Sequence, residues 1–156
     1  MLTNTLFVIL LFAAPTPTQT IETFLASDRN VPEVRAHAVA NQIVYCANLT
    51  KLDPFVLTML IDVETGETWR RTCRGKAGEV GLTQILPSTA RACGYSVSRL
   101  RKDWGYQILC GAYYLSGQEG DIRHQVARYN GGPRGPKRAR CLRYADKIIR
   151  KARGMR

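Results

Sequence analysis

The chain has 156 residues, 23 Lys and Arg against 12 Asp and Glu, a formal charge of +11, 45% hydrophobic residues and five Cys. That length supports one domain around a single hydrophobic core and excludes two. Two His, with Cys in no ligand spacing, point to no metal and no cofactor.

In chain order, residues 1 to about 20 carry no charged side chain, and Leu6 to Ala14 form an apolar run followed by Pro15, Thr16, Pro17 and Thr18. The run is too short to span a bilayer and resembles a signal peptide cleaved within roughly 14 to 20, though no Lys or Arg precedes it. Export to the periplasm or cell envelope is expected, with residues 21–156 as the domain; an uncleaved or differently exported start stays open.

Asn30 as a cap, Pro32 and Glu33 predict a helix whose Ala36, Val39, Ala40, Ile43 and Ala47 recur at helical spacing to about Leu49. A second begins with Asp53 as cap and Pro54 at its first position, and closes on Gly66. Between them only Thr58 and Asp62 are polar before Glu64, four residues apart and so on one narrow exposed stripe of a mostly buried helix. At ~100° per residue, Glu64 lies about 160° from Asp62, on the side of Leu57, Leu60 and Ile61. Burial and the negative end of the helix dipole both disfavour its charged form, so a raised pKa, fit for a general acid, is expected. Taken alone, a Glu in a last helical turn is more often a solvated side chain.

A polar loop to Ala77 follows, where a short hairpin between Trp69 and Leu82 is the only strand signal. Further helices are predicted from Pro87 to Cys93, from Asp103 to Gly117 with Leu109, Ala112 and Tyr113 on one face, and from Asp121 to the Asn130-Gly131-Gly132 turn. The last runs from about Pro136 with Leu142, Ala145, Ile148 and Ile149 inward. The pattern is a mainly α single domain with little or no β.

The stretch Gly78-Glu79-Val80-Gly81-Leu82-Thr83-Gln84-Ile85-Leu86-Pro87-Ser88-Thr89-Ala90, set after Glu64-Thr65 at the end of an apolar helix, resembles the core of the soluble lytic transglycosylases (SLT type). Gly78, Gly81, Leu82, Gln84, Ile85, Pro87, Thr89 and Ala90 match that family's pattern, and Tyr129-Asn130-Gly131-Gly132 resembles its downstream element. Thr65 stands where Ser is usual, Thr83 where Met is usual, and Gly75 where a Ser often stands. The resemblance covers roughly Asp53 to Ile149 and implies a lysozyme-like fold and cleavage of peptidoglycan glycan strands with a 1,6-anhydro product. It implies Glu64 as the catalytic acid and base. Thr65, Gln84, Leu86, Tyr129 and Asn130 are implied at the substrate, with Gln84 bonding the sugar and the Tyr129 hydroxyl orienting Glu64.

A glycosidase of the usual kind needs two carboxyl groups, ~5 Å apart if retaining and ~6.5 to 9.5 Å if inverting. No clear partner for Glu64 is visible: Asp62 points away, Glu67 lies in the loop, and Glu79 reads as solvated. Cys46, Cys73, Cys93, Cys110 and Cys141 allow at most two disulfides if the chain is exported. The positive charge gathers in Arg134, Lys137, Arg138, Arg140, Arg143, Lys147, Arg150, Lys151, Arg153 and Arg156, opposed there by Asp146. Such a face suits an anionic wall, and with no base-reading motif no specific nucleic acid is expected. A hydrolytic muramidase and a non-catalytic basic binding module are the rivals; wall turnover, secretion, conjugation and phage settings all remain open.

Overall fold

The computed structural model describes residues 14–156. The apolar run of the expected signal segment lies almost wholly outside the described residues. Among the described residues there are eight α-helices: α1 (Pro17–Thr23), α2 (Glu33–Thr50), α3 (Pro54–Glu64), α4 (Pro87–Ala92), α5 (Val97–Lys102), α6 (Trp104–Ser116), α7 (Ile122–Gly131) and α8 (Ala139–Arg153). A π-helical turn, Phe24–Asp28, continues α1, and a 3-10 turn, Gly132–Lys137, joins α7 to α8. The expected hairpin reduces to two isolated antiparallel bridges, Arg74 with Val80 and Val80 with Ile85. No described helix is long and apolar enough to cross a membrane.

The central helix is α3. Asp53 accepts hydrogen bonds from the Phe55 and Val56 amides at 2.8 and 3.4 Å, and Pro54 occupies the first turn where no donor is needed. At the other end the Thr65 hydroxyl donates back to Ile61 O at 2.8 Å, and Gly66, at φ +57°, takes the chain out of the helix. Val56, Leu57, Met59, Leu60 and Ile61 are buried among Ile21 and Leu25 of the N-terminal segment, Ile43 of α2, Ile108 of α6 and Ile148 of α8.

The exposed polar stripe expected on α3 does not exist: Thr58 and Asp62 are both fully buried. Thr58 satisfies its hydroxyl within the helix, donating to Pro54 O at 2.7 Å. Asp62 receives Arg29 Nε and Nη2 at 2.6 and 3.0 Å, Lys151 Nζ at 2.9 Å and Trp69 Nε1 at 2.9 Å. Burial alone would raise this carboxyl, but the bonds from Arg29, Lys151 and Trp69 outweigh it and hold it below its ordinary value. Periodicity marks a polar position; it does not say whether water or a distant cation will satisfy it.

Other boundaries move for local reasons. Asn30 caps nothing; it sits at φ +53°, and α2 starts at Glu33 behind Pro32. The 3-10 turn absorbs Pro136, so α8 begins at Ala139. The inner face of α6 is Ile108, Ala112 and Leu115, whereas Tyr113 is 45% exposed. Helix α5, with Leu100 as its one buried residue, is too short to show a period. Thr16 caps α1, which begins at Pro17, and Ile21 within it is fully buried. All five cysteines are free thiols: Cys46, Cys110 and Cys141 are buried as small apolar groups, and the expected bridges are not formed.

Replacing Asp62 by Ala would strand Arg29 and Lys151 beside the core. A loss of about 3 kcal/mol is expected, read as a lower urea midpoint with an unchanged slope; an unmoved midpoint would show that the network holds nothing.

Candidate active site

A cleft of about 360 Å³ opens where α3 ends, walled by the loop through residues 75 to 86, the start of α4, and α6 and α7. Glu64 lies on one wall; Gly75, Glu79, Gln84, Leu86, Tyr129 and Asn130 contribute to the rest.

The loop is rigid because α6 and α7 hold it from behind. Gly81 adopts φ +75°, and a Cβ there would overlap the carboxamide of Gln107. That buried carboxamide accepts the Leu82 amide at 2.9 Å and donates to Leu100 O at 2.9 Å and Arg71 O at 3.2 Å. Thr83 Oγ1 donates to Gln107 O at 2.8 Å, and the Tyr129 hydroxyl donates to Thr83 O at 2.5 Å. Gln84 lies at φ +47°, with Nε2 donating to Gly81 O at 2.7 Å and Cys73 O at 3.3 Å. A side chain tied to its own loop in this way shapes the wall as well as facing the cleft.

Glu64 is largely buried, and the hydroxyl of Tyr144 on α8 donates to its Oε1. Burial pushes its carboxyl up, the Tyr144 bond pulls it partly back, and the charge of Glu79 raises it again, for a value of about 7. A carboxylic acid with that value is half protonated at neutral pH and can both give and take a proton. Burial and the Glu64 charge raise the Tyr129 and Tyr144 hydroxyls well above their ordinary value, so both stay neutral.

Three expectations need correction. The hydroxyl that touches Glu64 belongs to Tyr144, not Tyr129, which is spent on Thr83 O. Thr65 is 5% exposed, with its hydroxyl bonded to Ile61 O and accepting the Trp69 amide at 3.3 Å; it caps α3 and does not line the cleft. Glu79 is half-buried in the cleft wall rather than solvated. The signal for Tyr144 was present: it lies beside Ala145 on the inward stripe of an otherwise basic helix. Among the described residues no group of three or more His, Cys, Asp or Glu could hold a metal ion.

No protein-family model matches the chain, and no curated protein matches it. Among solved structures it is similar to that of an inactive mutant of the lytic transglycosylase Slt from Pseudomonas aeruginosa, with a TM-score of 0.59 and 18% identity. The match covers 88% of this chain and 30% of that one. At that identity the likeness establishes the fold alone: the described residues form a single all-α domain folded like the matched part of that structure.

The native carboxyl of Glu64 titrates near 7 against an ordinary 4.5. Its contribution to stability is therefore fully present below about 4.5 and lost as pH rises through about 7, for roughly 3 kcal/mol in all. Glu64→Gln keeps the shape and carries no charge. Its melting temperature relative to the parent should climb across that window and level off above it; a constant difference would contradict the raised value. Tyr144→Phe removes the donor that favours the charged form, so the Glu64 titration, followed by carbon NMR of its carboxyl, should move above 7.

Proposed function

We propose that the chain is a peptidoglycan lytic transglycosylase with Glu64 as its catalytic acid and base. The observation that carries the reading is a carboxyl held near pH 7 in the wall of a cleft, on a fold shared with a lytic transglycosylase. The motif from Gly78 to Ala90 supports it by resemblance.

In this reading Glu64 gives its proton to the oxygen leaving N-acetylmuramic acid. The carboxylate then takes a proton from the C6 hydroxyl of the same sugar, whose oxygen closes on the anomeric carbon. No water is consumed, the product ends in a 1,6-anhydro ring, and Glu64 is protonated again for the next cycle. The substrate's own N-acetyl group supplies the stabilisation that a second carboxylate gives elsewhere. Gln84 and Asn130 face the sugar, and Leu86 lines the cleft. The reading places the protein outside the cytoplasm, at the cell envelope, in wall turnover or in the service of a secretion, conjugation or phage assembly.

Mass analysis of digested peptidoglycan tests it. Wild type should release 1,6-anhydromuramic ends, Glu64→Gln should release none while still folding, and Glu67→Gln should behave as wild type. Reducing ends from wild type would make the protein a hydrolytic muramidase; no product at all would leave a binding module.

The basic face bears on the substrate. Arg138, Arg140, Arg143, Lys147, Arg150 and Arg153 are exposed and make no ion pair among the described residues. Lys151 and Arg156 differ, being committed to Asp62 with Glu67 and to Asp53. Charge reversal at Arg138 and Arg150 should weaken binding to anionic wall without unfolding, and ~0.5 M salt should do the same. Reversal at Lys151 should instead unfold the domain. Wall binding indifferent to salt would remove the electrostatic role.

A further inference from the structure

Sequence reasoning left Glu64 without a carboxylate partner, yet Glu79 lines the same cleft. Its placement is built rather than incidental. The loop turns at Gly78, which sits at φ +90° and donates to Gly75 O at 3.1 Å, and the Gly75 amide donates to Glu79 O at 3.1 Å. Folded back over this turn, Glu79 Oε2 accepts the Ala77 amide at 3.0 Å. The carboxylate then lies directly over Gly75: a Cβ at that position would overlap it and come within 2.9 Å of Gln84 Oε1. A residue with a side chain at 75 and the observed Glu79 rotamer are mutually exclusive, so the bare Gly75 and the seated Glu79 form one feature.

Among the described residues the titratable groups facing Glu64 come from three elements: Tyr144 on α8, which bonds it, and Tyr129 on α7 and Glu79 on the loop, which line the same cleft. The two tyrosines stay neutral, and of the three it is the charge of Glu79 that raises Glu64. Among the described residues no Lys or Arg lines the cleft to offset it.

We propose that Glu79 is a positioning residue for Glu64: a carboxylate seated on Gly75 in the facing loop, whose fixed charge across the cleft keeps the Glu64 proton in place until a glycan oxygen takes it. Two like charges sharing a confined site resist simultaneous ionisation, and the group with less access to water is the one that holds the proton. Burial is the main cause that raises Glu64, and among the described residues no backbone amide donates to it, whereas Glu79 accepts the Ala77 amide, so the proton is assigned to Glu64. The inference rests on reading Glu64 as the acid of the cleft and adds what maintains it in that state. It would give this chain, with Glu at 79 and Gly at 75, an activity that persists to higher pH than the bare cleft would allow.

The test is a pair of pH titrations on the full chain. The first follows the Glu64 carboxyl by carbon NMR without substrate, in wild type, Glu79→Gln and Glu79→Asp. Gln preserves an acceptor for Ala77 and removes the charge, so the Glu64 midpoint should fall by about half a unit or more, while Asp, which retains the charge, should restore most of the wild-type value. The second follows the alkaline limb of the pH–rate profile on peptidoglycan, which should move with the NMR midpoint, in the direction opposite to that of Tyr144→Phe. An unmoved Glu64 midpoint in Glu79→Gln, or an Asp variant indistinguishable from Gln, overturns the proposal whatever the activity does. A midpoint that shifts as expected in a protein that cleaves no glycan upholds the coupling and instead overturns the transglycosylase reading.

Discussion

The geometry of this domain depends on one buried anion. Asp62 lies inside the fold with no exposure to water, and its four hydrogen bonds come from segments far apart in the chain: Arg29 after the first helix, Trp69 in the loop beyond α3, and Lys151 near the end of α8. An isolated carboxylate in such a place would be expelled or neutralised, so the three donors have to arrive together. Their arrival clamps the last turn of α3 between the two ends of the domain.

The clamp sets the direction of Glu64. Two residues along a helix amount to a rotation of about 160° the short way round, so when Asp62 points at its cations Glu64 must leave from the opposite side. Two carboxylates in one helical turn thus meet contrary environments. Asp62 is fully compensated and held low; Glu64, buried with a single tyrosine hydroxyl and a second carboxylate nearby, is held up near 7. The facing wall is built as firmly by a neutral device: one buried carboxamide, Gln107, holds the backbone at Arg71, Leu82 and Leu100, and Gly81 is bare because that carboxamide occupies the space a side chain would need. The cleft lies between an ionic clamp and an amide clamp, and neither belongs to its lining.

Helix α8 serves both. Its inner stripe of Cys141, Ala145 and Ile148 closes the core, Tyr144 reaches Glu64 and Lys151 reaches Asp62, while the remaining basic residues face outward. A count of charges could not separate these roles. Lys151 and Arg150 carry the same charge in the sequence, yet one neutralises a buried carboxylate and the other faces solvent.

By itself the sequence determined the helical class, the two ends of α3, the apolar side from which Glu64 departs and the loop motif that faces it, because each of these is governed by residues within a few positions of one another. Caps, turn glycines and a 3.6-residue period are local physics. The partners of buried polar groups were decided only in three dimensions. That Asp62 is interior, that Tyr144 rather than Tyr129 meets Glu64 across 80 residues, that Thr65 turns inward, and that Glu79 sits over Gly75 inside the cleft follow from which distant surfaces are pressed together. A polar side chain shows the same pattern in the sequence whether it ends in water or beside a cation from the far end of the chain; desolvation separates the two outcomes, and desolvation exists only once the core has closed.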